Sequence, residues 1–194
     1  MKQHEWEREV IQHIDTLREE LIELCQELVR IPSWDRETRG EAEVSHRVGE
    51  TLEKRNISTE YLSSHPNIEN LIATWHSKKG GRRLLFNGHV DVVPPGEDWT
   101  VDPFAAEIRD GYIFGRGSMD MKGGVAAMTI AVCALRDLEV PVNGTIIVNA
   151  VGDEERQGSL GTTWCIENAW EKIKADAAIV PEPSGLGPLG YAVN

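Results

Sequence analysis

The sequence has no long apolar run, and its first residues have no apolar segment of the kind found in secretion signals. These absences argue against a membrane-spanning helix and against export, and we expect a soluble cytoplasmic protein. Basic residues are also scarce, with 20 Lys and Arg against 32 Asp and Glu and a formal net charge of -12. Such a charge argues against nucleic acid or an anionic membrane surface as a partner.

Cysteine is rare as well, and its three widely spaced positions include no CxxC pair. Cys25 and Cys133 fall on the apolar faces of predicted helices, so we expect buried, reduced thiols there. No Gly-Lys-Ser/Thr triplet occurs, which excludes a P-loop. Gly115 and Gly117 begin a dinucleotide-type fingerprint, but Asp120 stands where its third glycine belongs. A nucleotide-binding α/β domain is therefore disfavoured.

Alternating strands and helices predict the fold class. At 194 residues and 40% hydrophobic, the chain can form one domain or most of a larger one. The predicted helices cover residues 5–30, 38–55, 121–138 and 159–170, the second of them opened by a capping box of Thr38 and Glu41. The predicted strands cover residues 57–63, 70–76, 84–86, 145–151 and 177–180, with a short hairpin at 107–114. This alternation predicts an α/β protein with a largely parallel or mixed sheet covered on both faces.

One kind of position recurs along the chain, where an acid or a histidine follows a short apolar run. The residues concerned are His89, Asp91, Asp120, Glu154, Glu155 and Glu182. Side chains just past the carboxyl ends of neighbouring strands converge on one crevice of an open α/β sheet. One imidazole among several carboxylates carries an excess of negative charge, and a divalent metal is its natural counter-charge.

Each of these residues also has a plainer interpretation. His89 and Asp91 are two apart, so Asp91 could accept the proton of the imidazole nitrogen that is not used for metal, but His-x-Asp alone is also typical of a buried hydrogen-bonded histidine. Asp120 could be an ordinary helix N-cap. The glycine pair at 123–124 costs helix propensity and suggests close backbone packing beneath Asp120.

The two later acidic motifs leave similar alternatives. Three adjacent acids, 153–155, usually form a solvated turn, yet here they end the most apolar strand. Since adjacent side chains point in different directions, one glutamate can bind metal while the other carries a proton. Glu182 lies between two prolines, which suits either a fixed ligand or a rigid surface turn.

Five motifs in order carry a family resemblance. They are FNGHVDVVP at residues 86–94, WTVDPF at 99–104, GRGSMDMKGG at 115–124, GDEE at 152–155 and PEPS at 181–184. The chain resembles the N-terminal half of the co-catalytic zinc amidohydrolases and exopeptidases. This group includes acetylornithine deacetylase, succinyl-diaminopimelate desuccinylase, aminoacylase and glutamate carboxypeptidase.

The resemblance implies a three-layer α/β/α catalytic domain and a role for each site residue. His89 and Glu182 would bind one zinc and Glu155 the other, with Asp120 bridging the two. Asp91 would orient His89, and Glu154 would be the general base. The full-length protein would hold two zinc ions, for which cobalt or manganese could substitute.

The resemblance also implies that residues 1–194 are only the N-terminal part of the catalytic domain. Complete members insert a smaller dimerisation domain after the position of Glu182, then return to supply a histidine to the second zinc, whereas no histidine follows His89 here. We therefore expect a homodimer for the full-length protein. For this segment we expect at most one well-bound metal and no activity alone.

The implied function is hydrolysis of the amide bond of an N-acyl amino acid or a related small amide by metal-activated water. Alternatives within the same group are a dipeptidase, a carboxypeptidase or a formylaminopyrimidine deformylase. A non-catalytic remnant that serves as a structural module is an alternative of another class. Specificity would depend largely on the part of the protein beyond residue 194.

Overall fold

The β-branched run at residues 145–151 forms the middle of a five-stranded sheet in the computed structural model, which describes residues 3–76 and 80–183. The strands are β1 (Ser58–His65), β2 (Ile68–His76), β3 (Arg82–His89), β4 (Glu107–Arg109), β5 (Tyr112–Phe114), β6 (Gly144–Val151) and β7 (Ala177–Ile179). The helices are α1 (Gln3–Thr16), α2 (Arg18–Arg30), α3 (Gly40–Glu53), α4 (Lys122–Asp137) and α5 (Thr162–Ile173). None of these helices is both long and apolar enough to cross a membrane.

The main sheet is mixed, as predicted. Its strand order is β1-β2-β6-β3-β7. Strand β3 runs parallel to β6 and β7, whereas the pairs β1–β2 and β2–β6 are antiparallel. His89 is in register with Val151, and Phe86 is in register with Ile179. The carboxyl ends of β3, β6 and β7 therefore meet at one edge of the sheet.

Strand β6 faces a buried layer on each side. Ile146, Val148 and Ala150 belong to a core cluster that includes residues of α2, α3 and α4. Ile147 and Val151 belong to a second cluster with residues of α5. Fully burying one such aliphatic side chain stabilises the fold by about 1.5–3 kcal/mol. Helices thus cover both faces, and the predicted three-layer α/β/α architecture is confirmed.

The N-terminal amphipathic segment is two helices rather than the single predicted helix. Helix α1 ends at Thr16 and α2 begins at Arg18, with Leu17 between them. The Thr16 hydroxyl donates to the His13 carbonyl at 2.6 Å, and the Leu17 N–H contacts the same carbonyl at 3.2 Å. A threonine hydroxyl that competes for a helical carbonyl locally distorts the backbone hydrogen bonds of the helix. The spacing of apolar residues does not reveal this competition, so the sequence predicted one continuous helix.

The predicted capping box at the start of α3 is wrong. The helix begins at Gly40, and its N-cap residue, Arg39, makes no side-chain cap bond. The Thr38 hydroxyl donates to the Asp35 carbonyl at 2.8 Å instead. The Glu41 carboxylate points away from the cap and accepts the Asp153 N–H at 2.9 Å. The Glu41 carboxylate therefore pairs with a distant part of the chain and not with the start of its own helix.

The hairpin was predicted correctly, but it is not part of the main sheet. Strands β4 and β5 form a separate two-stranded sheet. The expectation that Asp120 follows a strand of the same sheet as His89 is therefore wrong, and a loop delivers Asp120 to the site. All three cysteines are buried and free, which confirms the expectation for Cys25 and Cys133.

Candidate metal centre

His89 is the anchor of the candidate site. It is the last residue of β3 and is 2% exposed. Its Nδ1 lies 2.9 Å from the Asp91 main-chain carbonyl and 3.4 Å from Asp91 Oδ1. A proton on Nδ1 donated to this carbonyl leaves the lone pair of Nε2 free to bind a metal.

Three carboxylates surround the free side of that imidazole. His89 Nε2 lies 3.2 Å from Asp120 Oδ1, 3.4 Å from Glu182 Oε1 and 3.7 Å from Glu154 Oε2. The ligand atoms of His89, Asp120 and Glu182 all lie within 4.8 Å of one another, a grouping that no other three His, Cys, Asp or Glu residues form within 3–76 and 80–183. Tetrahedral metal sites with bonds of about 2.0–2.1 Å separate their ligand atoms by about 3.3–3.4 Å. The donor set therefore fits one divalent metal.

Glu182 reaches the site because β7 runs beside β3. The segment that follows β7 then passes close to the backbone of helix α4. A Cβ built on Gly124 would lie 2.4 Å from the Pro181 carbonyl oxygen. Real Cβ atoms do not approach backbone so closely, so only glycine permits this contact. A Cβ on Gly123 would likewise lie 2.4 Å from the Ser118 carbonyl. The predicted close packing at the glycine pair is confirmed, and at Gly124 it involves Pro181, the residue before Glu182.

Asp120 is not a helix cap. Helix α4 begins at Lys122, and its N-cap position is Met121, without a side-chain cap bond. The Asp120 carboxylate is directed at His89 instead, and its side chain is 49% exposed. The peptide bond between Asp120 and Met121 is cis. Met121 Sδ accepts the His89 N–H at 3.2 Å, which ties the loop to the end of β3.

Asp91 connects His89 to the two glutamates that follow β6. The Asp91 carboxylate is buried, and it accepts the Glu154 N–H through Oδ1 and the Glu155 N–H through Oδ2, each at 3.0 Å. Because the same residue also contacts the His89 imidazole, His89 and the acidic turn share one support. The Glu154 side chain is 54% exposed and faces the open side of the site.

The charges of the site are poorly balanced without a cation. Burial disfavours the charged form of His89, but its hydrogen bond with Asp91 and the charges of Asp91 and Glu182 outweigh this and raise its pKa to about 9. Burial, with added repulsion from Asp120, raises the pKa values of Glu155 and Glu182. A divalent cation bound between these carboxylates and the imidazole would relieve the repulsion among the negative charges.

The structure thus brings most of the predicted site residues together. Around His89 it places the side chains of Asp91, Asp120, Glu154 and Glu182. The side chain of Glu155 lies outside the three-ligand group, although its backbone is held by Asp91. The individual roles assigned to these residues stay predictions.

Two buried charged residues next to the site were missed by the sequence reasoning. Glu41 is 1% exposed, and Lys122 is fully buried with its Nζ donating to the Ile31 carbonyl at 2.7 Å. Burial lowers the pKa of Lys122 to about 7 against the opposing attraction of Asp91. Helical spacing could have indicated both, because Glu41 precedes Val44 by three residues and Lys122 precedes Val125 by three, on the buried faces of α3 and α4.

Comparison with known families identifies one match over more than half of the chain. The family described as peptidase family M20/M25/M40 matches residues 85–193. This range contains every residue of the candidate metal centre.

Individual relatives are similar over most of this chain but over less than half of their own length. Succinyl-diaminopimelate desuccinylase 2 of Ruegeria sp. (strain TM1040) is 46% identical over 132 residues, which cover 66% of this chain and 33% of that protein. The N-formyl-4-amino-5-aminomethyl-2-methylpyrimidine deformylase of Halalkalibacterium halodurans is 34% identical over 180 residues, covering 91% and 41% respectively. The crystal structure of Sso-CP2, an M20 family metallo-carboxypeptidase from Sulfolobus solfataricus, superposes with a TM-score of 0.74 at 29% identity, covering 88% of this chain and 39% of that one.

Proposed function

The chain belongs to peptidase family M20/M25/M40, and we propose that it is the N-terminal part of the catalytic domain of a metal-dependent amidohydrolase. Its reaction would be cleavage of the amide bond of an N-acyl amino acid or a related small amide. The observation that carries this proposal is the group of His89, Asp120 and Glu182, with Glu154 Oε2 only 3.7 Å from His89 Nε2. This arrangement supports the proposal because a carboxylate that could accept a proton lies beside three groups that could bind a metal.

We assign the metal ligands from this geometry and from the resemblance. His89, Asp120 and Glu182 would hold one metal, and Asp120 would share a second metal with Glu155. Zinc suits one imidazole with carboxylate oxygens, and cobalt or manganese could replace it. When bound, the metal supplies a Lewis acid for the amide carbonyl and lowers the pKa of a coordinated water.

Glu154 would carry the proton. Its carboxylate accepts a proton from the attacking water and then donates that proton to the nitrogen of the leaving amine, so that the carboxylate is regenerated at the end of the cycle. Its backbone is fixed by Asp91 while its side chain faces the open cleft. A fixed backbone with a free carboxylate suits a group that must reach two different atoms in one turnover.

The substrate class is proposed from the relatives. The two curated relatives are named for removing a succinyl group and a formyl group. Both names describe the release of an acyl group from an amine, which favours a deacylase. The metallo-carboxypeptidase among the solved structures keeps a dipeptidase or carboxypeptidase as the alternative.

We propose further that the protein extends beyond this chain. The chain covers 33% and 41% of the two curated relatives, so most of their length lies outside the matched part. In the full-length protein, a smaller dimerisation domain would begin near residue 194, and a returning segment would complete the second metal site. A homodimer is the proposed assembly.

The test is activity of the full-length protein on a panel of N-succinyl, N-acetyl and N-formyl amino acids and dipeptides, with zinc or cobalt added. We expect hydrolysis of at least one acyl amino acid that a chelator abolishes and added metal restores. His89→Ala should remove metal and activity, whereas His46→Ala, at a partly exposed histidine of α3, should change neither. A folded, metal-loaded protein that is inactive on the whole panel would instead support the structural module.

A further inference from the structure

Three consecutive backbone N–H groups after β6 all end on buried carboxylates. Glu41 Oε2 accepts the N–H of Asp153 at 2.9 Å. Asp91 accepts the next two, from Glu154 and Glu155, at 3.0 Å each. A short turn of three residues therefore has each of its donors fixed by an acid from a distant part of the chain, and two of those three residues carry the side chains of the proposed chemistry.

Glu41 is built into this position rather than resting on the surface. It lies in the first turn of α3 and is 1% exposed. A Cβ on Gly152 would lie 2.2 Å from Glu41 Oε2, so the glycine of the GDEE motif leaves space for this carboxylate. Glu41 Oε1 lies 3.6 Å from Arg156 Nη1 on the far side of the turn. A buried carboxylate is costly unless such donors and charges compensate it.

Asp153 holds the other side of the turn. It is fully buried and has φ +66, a left-handed conformation that is uncommon for residues other than glycine. Its carboxylate is paired with Arg36 and accepts the Leu160 N–H at 3.0 Å. The backbone of Asp153 is thus held by Glu41 while its side chain is held by other elements, which leaves residue 154 little freedom of direction.

We propose that Glu41 is a positioning residue, which acts through the Asp153 backbone to direct the Glu154 carboxylate toward the metal centre. The role of Glu154 in this statement rests on the proposed function, whereas the contact of Glu41 with the turn does not. The opposing interpretation is that Glu41 only stabilises the packing of α3 against the sheet. The two interpretations differ in what happens to turnover in molecules that remain folded.

The experiment compares Glu41→Ala, which removes the acceptor, with Glu41→Gln, whose amide oxygen can still accept the Asp153 N–H. Glu27→Ala is the matched control, because Glu27 also contacts α3, through Arg47, but lies away from the turn. Hydrogen exchange is measured on this chain at the amides of residues 153–155 and, for comparison, at Ile147 and Val148 inside β6. Turnover, KM and metal content are measured on the full-length protein.

With Glu41→Ala we expect amide exchange at residues 153–155 to become about tenfold faster, with β6 unchanged. We expect kcat to fall about 10–100-fold, as for residues that orient a catalytic group, with KM and metal content unchanged. Glu41→Gln should restore most of both properties, and Glu27→Ala should match the wild-type protein.

Three outcomes would overturn the proposal. The first is a folded Glu41→Ala protein with wild-type exchange and kcat. The second is a loss of protection that extends through β6 while kcat per folded molecule stays normal, since packing alone would produce it. The third applies if Glu41→Ala does not fold. It is a folded Glu41→Gln protein whose turnover is as slow as that of a Glu154→Gln protein. If the wild-type protein cleaves no amide, the proposed function fails, but the exchange comparison still tests whether Glu41 holds the turn.

Discussion

The Asp91 carboxylate holds Glu154 by its backbone, with Oδ1 accepting the Glu154 N–H at 3.0 Å. Asp91 also contacts the His89 imidazole, with Oδ1 3.4 Å from Nδ1. One buried acid therefore connects the proposed metal-ligating histidine to the proposed general base. Since Asp91 contacts the Glu154 main chain, a change confined to the Glu154 side chain should leave this support in place.

This relationship makes Glu154→Gln a clean test of the proton carrier in the full-length protein. The amide has the size of the carboxylate but cannot accept the proton of the attacking water. Turnover should fall by at least about 10²–10⁴-fold, the usual range for general acid–base catalysis. Metal content, measured by elemental analysis, should stay at the wild-type level. Near-normal turnover with metal bound would show that the assigned mechanism is wrong.

Glu155→Gln is the paired change, and it should behave differently. Glu155 is the proposed ligand of the second metal, so its loss should weaken that metal rather than the proton transfer. We expect reduced metal content and reduced turnover, with partial recovery on adding zinc or cobalt. A solvated acidic turn without catalytic function would predict little effect from either change.

The metal stoichiometry of the isolated chain is a further prediction. His89, Asp120 and Glu182 provide three ligands, which is enough for a site that keeps an open position. Asp120 and Glu155 provide the second metal with only two. Calorimetric titration should therefore find one well-bound zinc per chain, lost in His89→Ala and kept in His46→Ala. Two tight zinc ions per isolated chain would contradict the ligand assignment.

Gly124→Ala should weaken metal binding without touching a ligand. The added Cβ would meet the Pro181 carbonyl at 2.4 Å and displace the adjoining Glu182. We expect zinc affinity to fall about 10–100-fold, by analogy with other residues that support metal ligands. Helix propensity favours alanine over glycine by about 1 kcal/mol, which acts on the stability of α4 and not on the affinity for zinc. Gly80→Ala, where an added Cβ meets no described atom within 4 Å, is the control. Unchanged affinity in Gly124→Ala would show that the close contact does not set the ligand.

Stability of the metal-free chain should depend on pH through Glu41. Burial, followed by repulsion from Asp91, raises the Glu41 pKa from 4.5 to about 7, although the hydrogen bond from the Asp153 N–H and the charge of Arg156 act to lower it. A carboxyl group whose pKa rises on folding contributes stability that is fully present below its unfolded pKa and is lost as pH rises through the folded pKa. Relative to Glu41→Gln, which does not titrate, the wild-type chain should lose free energy of unfolding between about pH 4.5 and 7. Urea unfolding at pH 5 and pH 8 measures this difference, and parallel pH profiles would contradict it.

Most of the sheet could be predicted from the sequence because local chemistry determines it. Residues 145–151 are apolar and largely β-branched, follow an Asn-Gly turn, and form β6 (Gly144–Val151). The acids after β6 and β7 were recognised because each follows an apolar run, and parallel strands bring such positions to one edge. For this reason His89 and Glu182 were predicted to lie together, and in the structure His89 Nε2 lies 3.4 Å from Glu182 Oε1.

The support beneath the site could not be predicted in the same way. Helical spacing indicates that Glu41 faces the core, but it does not reveal the partner of its carboxylate, which is an N–H 112 positions away along the chain. The left-handed Asp153 and the break at Leu17 likewise depend on partners that no local propensity reveals. Asp120 lies beside His89 as predicted, but the loop that brings it there follows a separate hairpin, because sequence order does not tell which strands share a sheet.

The narrow attachment of β7 has a consequence for chain entropy. Among the residues that the structure describes, β7 lies at the edge of the sheet and pairs with β3 at only three positions, and its three residues are all exposed. Each backbone residue released from a fixed conformation gains about 1–2 kcal/mol of entropic free energy, so detachment of such a short strand is opposed by little. A metal held jointly by His89 and Glu182 would tether the chain just after β7. Because such a metal would bind only when β7 is attached to the sheet, it would shift the equilibrium towards the attached state by mass action. Metal availability would then govern how often this edge of the sheet opens, in addition to whether the chemistry can occur.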